Sequence, residues 1–256
     1  MAEDLRLFDT HCHLFLMDGE PDAALAAAKD AGVDGLVCVG IDPESSRRSR
    51  ELADSLPGVF ATAGVHPHTA SEFDAAAGAA IEELAQDPRV VGIGETGLDH
   101  YRLLSPAEDQ ERAFRAHCSL SRETGKPLVV HTRDAWDDVL RVLEEEQAEK
   151  VVLHCFSGDA SVAREASARG YFCSFAGNAT YPKNAELLQS AAEVAGDLLL
   201  VETDSPFLAP QEVRGRDNVP ANVRFVVDAL AEARAEDRAA VAERTTLNAK
   251  RAFRLP

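Results

Sequence analysis

Apolar residues gather in eight short runs, at 5–8, 35–39, 59–65, 90–93, 128–130, 151–153, 171–175 and 198–201. Several are rich in Val, Ile or Phe and none alternates cleanly with polar residues, the pattern of strands buried on both faces. Amphipathic stretches with readable starts lie between them. Asp42 places a capping acceptor before Pro43 at a first helical position. Ser105-Pro106-Ala107-Glu108 predicts a capping box with proline in the first turn. Asp134 heads a helix over 135–147, and Asp159 heads one over 160–169 that Gly170 ends. The Ala-rich stretch 75–80 is plain helix former, and 221–253 predicts two helices joined near Glu236-Asp237.

Eight strand–helix alternations in 256 residues predict an α/β fold, a (β/α)8 TIM barrel, with a doubly wound open sheet as the alternative. No Ser/Gly-rich linker or break in composition divides the chain, so residues 1–256 are expected to form a single domain. Hydrophobic residues at 45% and charged residues at 27% exclude long disorder. No apolar stretch is long enough to span a membrane. The start MAEDLRLFDT lacks the basic-then-apolar order of a secretory leader, which predicts a cytoplasmic protein without a membrane partner. Five cysteines without a C-x-x-C pair read as small buried hydrophobes, with no disulfide partner and no zinc ribbon. No P-loop or G-x-S-x-G occurs, and no dinucleotide-binding fingerprint is expected. The net charge of −18 argues against a broad basic face that tracks nucleic acid, so any anionic substrate needs local cations.

The polar chemistry sits where the apolar runs end. Asp9-Thr10-His11-Cys12-His13 follows the first run, Gly64-Val65-His66-Pro67-His68 the third, and Gly94-Glu95-Thr96-Gly97-Leu98-Asp99 the fourth. His131-Thr132-Arg133-Asp134, His154-Cys155-Phe156-Ser157-Gly158 and Glu202-Thr203-Asp204-Ser205-Pro206 follow the fifth, sixth and eighth. Six of the eight histidines thus fall at carboxyl ends of predicted strands, which in a barrel converge on the catalytic face. The period of a strand aims His11 and His13 the same way, a spacing suited to one ion. Imidazole with carboxylate suits Zn2+, Mn2+ or a related cation, and the number of ligands points to two. His11, His13 and Asp204 then hold one ion, His131 and His154 the other, and Glu95 bridges them, since no lysine is placed to do so.

These motifs, from THCH through GVHPH, GETGLD, HTRDA and HCFSG to ETDSPFLAP, resemble those of the TatD-type metal-dependent deoxyribonucleases in order and approximate spacing. The resemblance runs from Asp9 to about Phe253. It implies a barrel of the metal-dependent hydrolase superfamily, phosphodiester hydrolysis in DNA with 3′→5′ exonuclease action, and the same ligand roles for His11, His13, Glu95, His131, His154 and Asp204. The chain departs from the family pattern at Phe15, His100, Asp217 and Val219, none of them an expected ligand. The mechanism expected is hydrolysis by water activated between two divalent cations (Zn2+, Mn2+ or Mg2+) per subunit. Asp204 ligates and takes the proton, while Glu202 orients a ligand from behind. His66 contacts phosphate or assists the leaving group, with His68 in the same role.

Arg133 and Arg102, with Arg214 and Arg216, are candidates to grip phosphates. Tyr101, Phe156 and Phe207 are expected to pack rather than stack on bases, Asn218 and Asn222 to serve turns and caps, and His117 to be structural. The run Glu144–Glu146 reads as a solvated helix end. An acidic exterior around one cationic pocket favours threading a single-stranded DNA end over coating a duplex. Two rivals remain: a barrel of the same kind acting on a lactone, phosphotriester or aminoacyl-tRNA ester, and a non-catalytic barrel that only binds.

Overall fold

The structure is a computed structural model that describes residues 5–256; residues 1–4, which carry the acidic start used against a leader, lie outside the described residues. Its strands are β1 (Leu7–Cys12), β2 (Val33–Val39), β3 (Val59–Ala63), β4 (Val90–Asp99), β5 (Leu128–Arg133), β6 (Val151–Leu153), β7 (Phe172–Phe175) and β8 (Leu199–Val201). Its helices are α1 (Pro21–Asp30), α2 (Pro43–Ser55), α3 (Ala75–Ala85), α4 (Ala107–Thr124), α5 (Trp136–Glu145), α6 (Ala160–Ala168), α7 (Ala185–Glu193), α8 (Val223–Arg234) and α9 (Arg238–Phe253). Strand order in the parallel sheet is chain order, β1 to β8. That is the topology of a (β/α)8 barrel, because a doubly wound sheet reverses its order part-way. No helix among the described residues is long and apolar enough to cross a membrane.

By contacts the chain divides into two compact units, residues 38–154 and residues 1–37 with 155–256. In the first, β3 to β6 pair in parallel, with Thr96, Gly97, Leu98 and Asp99 of β4 opposite Val130, His131, Thr132 and Arg133 of β5. Its core is built from Val90, Ile93, Phe114, Leu128, Val130, Leu143 and Leu153. One face of α5 buries Val139, Leu140, Val142 and Leu143, each worth about 1.5–3 kcal/mol of transfer free energy. Helix α2 opens as predicted: Pro43 is in its first turn, Asp42 accepts from the Ser45 N–H at 2.7 Å, and Ser45 Oγ accepts from the Asp42 N–H at 3.0 Å.

Three local expectations in this unit fail. The Ser105 capping box does not form, because Ser105 Oγ instead donates to the His68 carbonyl at 2.9 Å and helix α4 begins after Pro106 without a side-chain cap. Asp134 does not cap α5; it takes a left-handed φ of 52°, which puts Ala135 at the helix entry. The Glu144–Glu146 run is not simply solvated. Arg115 binds Glu111, Glu145 and Glu146, and Arg141 binds Glu111, Asp138 and Glu145, which ties α4 to α5. His117 is structural as expected: its Nδ1–H donates to the Ala113 carbonyl at 2.7 Å and its Nε2 accepts from the Val65 N–H at 3.0 Å. Against the expectation that the chain holds no G-x-G-x-x-G, Gly92, Gly94 and Gly97 have that spacing. All three lie inside β4, so they form no strand–turn–helix phosphate cradle.

The second unit carries β1, the start of β2, β7 and β8, with α1 and α6 to α9. Asp159 caps α6 by accepting from the Ser161 and Val162 N–H groups, and Asp237 caps α9. Helix α9 fastens both ends of this unit. Thr246 Oγ1 donates to the Arg6 carbonyl at 2.9 Å, and Asn248 Nδ2 donates to the Leu199 carbonyl at 2.9 Å. Leu7, Phe156, Phe175, Leu199, Val226, Leu230 and Val241 fill its core.

Candidate metal centre

Unit 38–154 contributes a cluster around Glu95. Two glycines make it possible. Gly94 and Gly97 have φ values of 133° and 131°, and a Cβ on them would lie 2.4 Å from the Val129 carbonyl oxygen and 2.1 Å from that of His131. The pairing register shifts between Ile93 and Thr96, and such an irregularity re-aims side chains. Glu95 is buried, and its Oε1 lies 3.0 Å from His131 Nδ1, 3.3 Å from His66 Nε2 and 3.3 Å from His154 Nε2. Behind them Asp99, fully buried, accepts at Oδ2 from His68 Nε2 at 2.8 Å and His131 Nε2 at 3.3 Å, and at Oδ1 from the Arg102 N–H at 2.7 Å.

Burial by itself raises the Asp99 pKa. Hydrogen bonds from His131, the Arg102 N–H and His68 outweigh it and hold the carboxyl well below the usual range. An ionised Asp99 accepts a hydrogen bond from His131 Nε2–H, and in that neutral tautomer the lone pair lies on Nδ1. Burial also opposes charge on His131, but its bonds to Asp99 and Glu95 win and its pKa rises. His66 differs. Burial pushes it down to about 4 despite Glu95, and its Nδ1 accepts from the His68 N–H at 3.1 Å. Neutral His66 therefore carries its proton on Nε2, as a donor rather than a lone-pair ligand. The Pro67 turn sets this tautomer.

The other unit contributes a second set. His11 Nε2 and His13 Nε2 are 3.3 Å apart at the end of β1, and Asp204 Oδ1 lies 3.5 Å from His13 Nε2 and 3.9 Å from His11 Nε2. Asp204 holds a left-handed φ of 52°, a conformation that needs fastening in a non-glycine residue. Its N–H donates to the His11 carbonyl at 2.9 Å, and the His13 N–H donates to the Ser205 carbonyl at 2.7 Å. Thr203 donates to Asp9 through both its N–H (2.8 Å) and its hydroxyl (2.5 Å), and Ser205 N–H donates to Thr203 Oγ1 at 3.2 Å. Burial pushes Asp9 up to about 8, against the pull of these bonds. Glu202, also buried, accepts at Oε1 from the Cys155 N–H at 2.9 Å and so holds the backbone just after His154.

Both sets suit a divalent cation. Two nitrogen ligands about 2.0–2.1 Å from a tetrahedral ion sit about 3.3 Å apart, and the His11–His13 separation is 3.3 Å. The donors are imidazole and carboxylate, the mixture that Zn2+ and Mn2+ accept. The family model described as TatD-related DNase matches residues 8–254. The chain belongs to that family.

Membership makes it a metal-dependent hydrolase on a (β/α)8 barrel. It is 38% identical over 253 residues to the uncharacterized metal-dependent hydrolase YabD of Bacillus subtilis, covering 97% of this chain and 99% of that one. It is 36% identical over 239 residues to the 3′–5′ ssDNA/RNA exonuclease TatD of Escherichia coli, covering 91% and 92%. The crystal structure of YjjV, a TatD homologue from E. coli, superposes with a TM-score of 0.94 at 26% identity, covering 99% and 100%.

The remaining candidates are placed as follows. His68 binds Asp99 rather than standing clear of the protein. The Arg133 guanidinium lies 4.0 Å from the centre of the Tyr101 ring, and that of Arg214 lies 4.1 Å from the Tyr181 ring. Phe156 is fully buried, whereas Tyr101 and Phe207 are exposed, so the expectation that they pack holds for Phe156 alone. Asn218 donates to the Thr203 carbonyl and Asn222 to Asn218, a turn-holding role. Asp9 and Asp99 were not singled out from sequence. Their signal was spacing: Asp9 is two residues from His11, and Asp99 is four from Glu95, each an even step along a strand.

Proposed function

We propose that this chain hydrolyses phosphodiester bonds in DNA, removing nucleotides from single-stranded 3′ ends in the cytoplasm with two divalent cations (Zn2+, Mn2+ or Mg2+) per subunit. Family membership and the activity named for the E. coli relative support this. The observation that carries it is the convergence of His131 Nδ1 and buried His154 Nε2 on one oxygen of buried Glu95, at 3.0 and 3.3 Å, with the His66 Nε2 donor 3.3 Å from the same oxygen. Buried polar groups are costly unless compensated, and that crowding is what a cation site requires of its ligands.

In this reading, as the resemblance assigns, His11, His13 and Asp204 would hold one ion and His131 and His154 the other, with Glu95 a ligand of both. Such a pair supplies, when bound, a lowered pKa for the attacking water and charge against the non-bridging phosphate oxygens. Asp99 keeps the His131 proton on Nε2, and Glu202 holds the turn after His154. Asp204 accepts the proton of the attacking water. His66, neutral at pH 7 with its proton on Nε2, donates a hydrogen bond to a phosphate or leaving oxygen. Arg133 and Arg102 supply further donors to the substrate, and His68, whose Nε2 binds Asp99, holds that carboxylate in place.

The test is a 5′-labelled single-stranded DNA, a matching RNA, a blunt duplex and an aryl ester, each incubated with protein and Mg2+, Mn2+ or Zn2+. The expected result is stepwise shortening of the single strand from its 3′ end, with mononucleotide release that stops on chelation. No nucleic-acid product with any metal, alongside turnover of the ester, overturns the proposal.

A further inference from the structure

We infer that Tyr101, with Arg133 stacked against it, is a platform for an unpaired nucleobase next to the scissile phosphate. This rests on the phosphodiesterase reading and adds a contact that distinguishes a nucleic-acid strand from a simple phosphoester.

The position follows from the strands. Asp99 and Arg133 are paired neighbours at the ends of β4 and β5. Arg133 lies two residues beyond His131 on the same strand, a rise of about 7 Å, with its side chain on the same face. Tyr101 lies two residues beyond Asp99. The connecting backbone is tied down on both sides: the His100 N–H donates to the Arg133 carbonyl at 2.9 Å, and the Arg102 N–H donates to Asp99 at 2.7 Å. Tyr101 is thus carried by an ordered turn two residues past Asp99, which binds His131 of the Glu95 cluster.

Charge and exposure both point to a ligand. This chain has 44 acidic residues against 26 basic ones, and Arg115 and Arg141 each bind three carboxylates. Arg133 forms no ion pair with a carboxylate among the described residues, although it is half-buried. Its guanidinium plane lies on Tyr101, and its N–H edge stays available to phosphate. Tyr101 itself is 63% exposed, and Leu103 and Leu104 beside it are 54% and 62% exposed. An exposed aromatic ring backed by a cation, in the turn two residues past the Asp99 that binds His131, has the composition of a base-stacking site. A base buried inside a duplex cannot reach such a ring, so the platform selects frayed or single-stranded ends.

The experiment compares wild type, Tyr101→Ala and Tyr101→Phe on three substrates. These are a single-stranded oligonucleotide, the same strand with abasic residues at its two 3′-terminal positions, and bis(p-nitrophenyl) phosphate. Tyr101→Ala is expected to raise KM for the intact strand about 5- to 100-fold, with a much smaller change in kcat. Tyr101→Phe restores wild-type KM. On the abasic strand the penalty disappears, and there wild type already shows the raised KM. Equal KM values for wild type and Tyr101→Ala on the intact strand, or an equal penalty with and without bases, overturn the platform while leaving the nuclease reading standing. No hydrolysis of any phosphodiester by wild type overturns both.

Discussion

His117 offers a test of the architecture that does not depend on metal. It is fully buried, takes the Val65 N–H on Nε2 and gives Nδ1–H to the Ala113 carbonyl, and burial pushes its pKa down from 6.5 to about 4. A second proton would have to sit on Nε2, where it would break the hydrogen bond that fixes the backbone one residue before His66. Because the folded pKa is the lower one, the unfolded chain takes up the proton first as pH falls. The stabilisation is therefore complete above pH 6.5 and is lost progressively down to pH 4. The full loss is about 3 kcal/mol, and the part lost between pH 7 and pH 5 is about 2 kcal/mol. His117→Gln keeps an acceptor and a donor at this site and cannot titrate. Urea unfolding of both metal-free proteins at pH 7 and pH 5 should show wild type losing about 2 kcal/mol more than the variant, or about 4–8 °C in Tm. Losses that agree within about 0.5 kcal/mol would refute the tautomer and burial argument.

Other consequences can be checked as directly. Asp99→Asn replaces the ionised acceptor that fixes the His131 tautomer with a neutral amide and should weaken metal affinity about 10- to 100-fold by calorimetric titration, with little change in thermal stability of the metal-free protein. Glu95→Ala should abolish hydrolysis and reduce the metal content measured by elemental analysis. Gly97→Ala places a Cβ 2.1 Å from the His131 carbonyl oxygen at a φ of 131°, so a loss of more than about 2 kcal/mol in denaturant unfolding is expected, along with activity. Chelation should lower Tm reversibly, by an amount that grows with the logarithm of the metal concentration it is compared against.

Strand centres were legible because an unbroken apolar run can be buried on both faces with no other information. Strand ends were not. Strand β4 runs on to Asp99 through Glu95, Thr96 and Gly97, polar or small residues whose burial is paid for by partners far away in sequence. The same division separates the caps. Asp42 and Asp159 reach an N–H two or three residues ahead, so the pattern is local. Ser105 was captured by the His68 carbonyl, 37 residues away, which no local pattern encodes. The chemistry of the ligand sets could be read from residue types at run ends. The tautomers of His66 and His131 could not, since each depends on a hydrogen bond seen only in the fold.

The two ligand sets differ in when synthesis completes them. Glu95, His131 and His154, with His66 and Asp99, lie on one continuous stretch, residues 38–154. That set is present in full once residue 154 has emerged from the ribosome. His11 and His13 are made far earlier, yet their carboxylate partner Asp204 and the Thr203 that binds Asp9 come about fifty residues later still. A nascent chain thus passes through a stage with the Glu95 cluster complete and the other set represented by two histidines. On the two-cation reading proposed above, metal supplied during translation would meet the sets one after the other, whereas metal added after refolding would meet both at once.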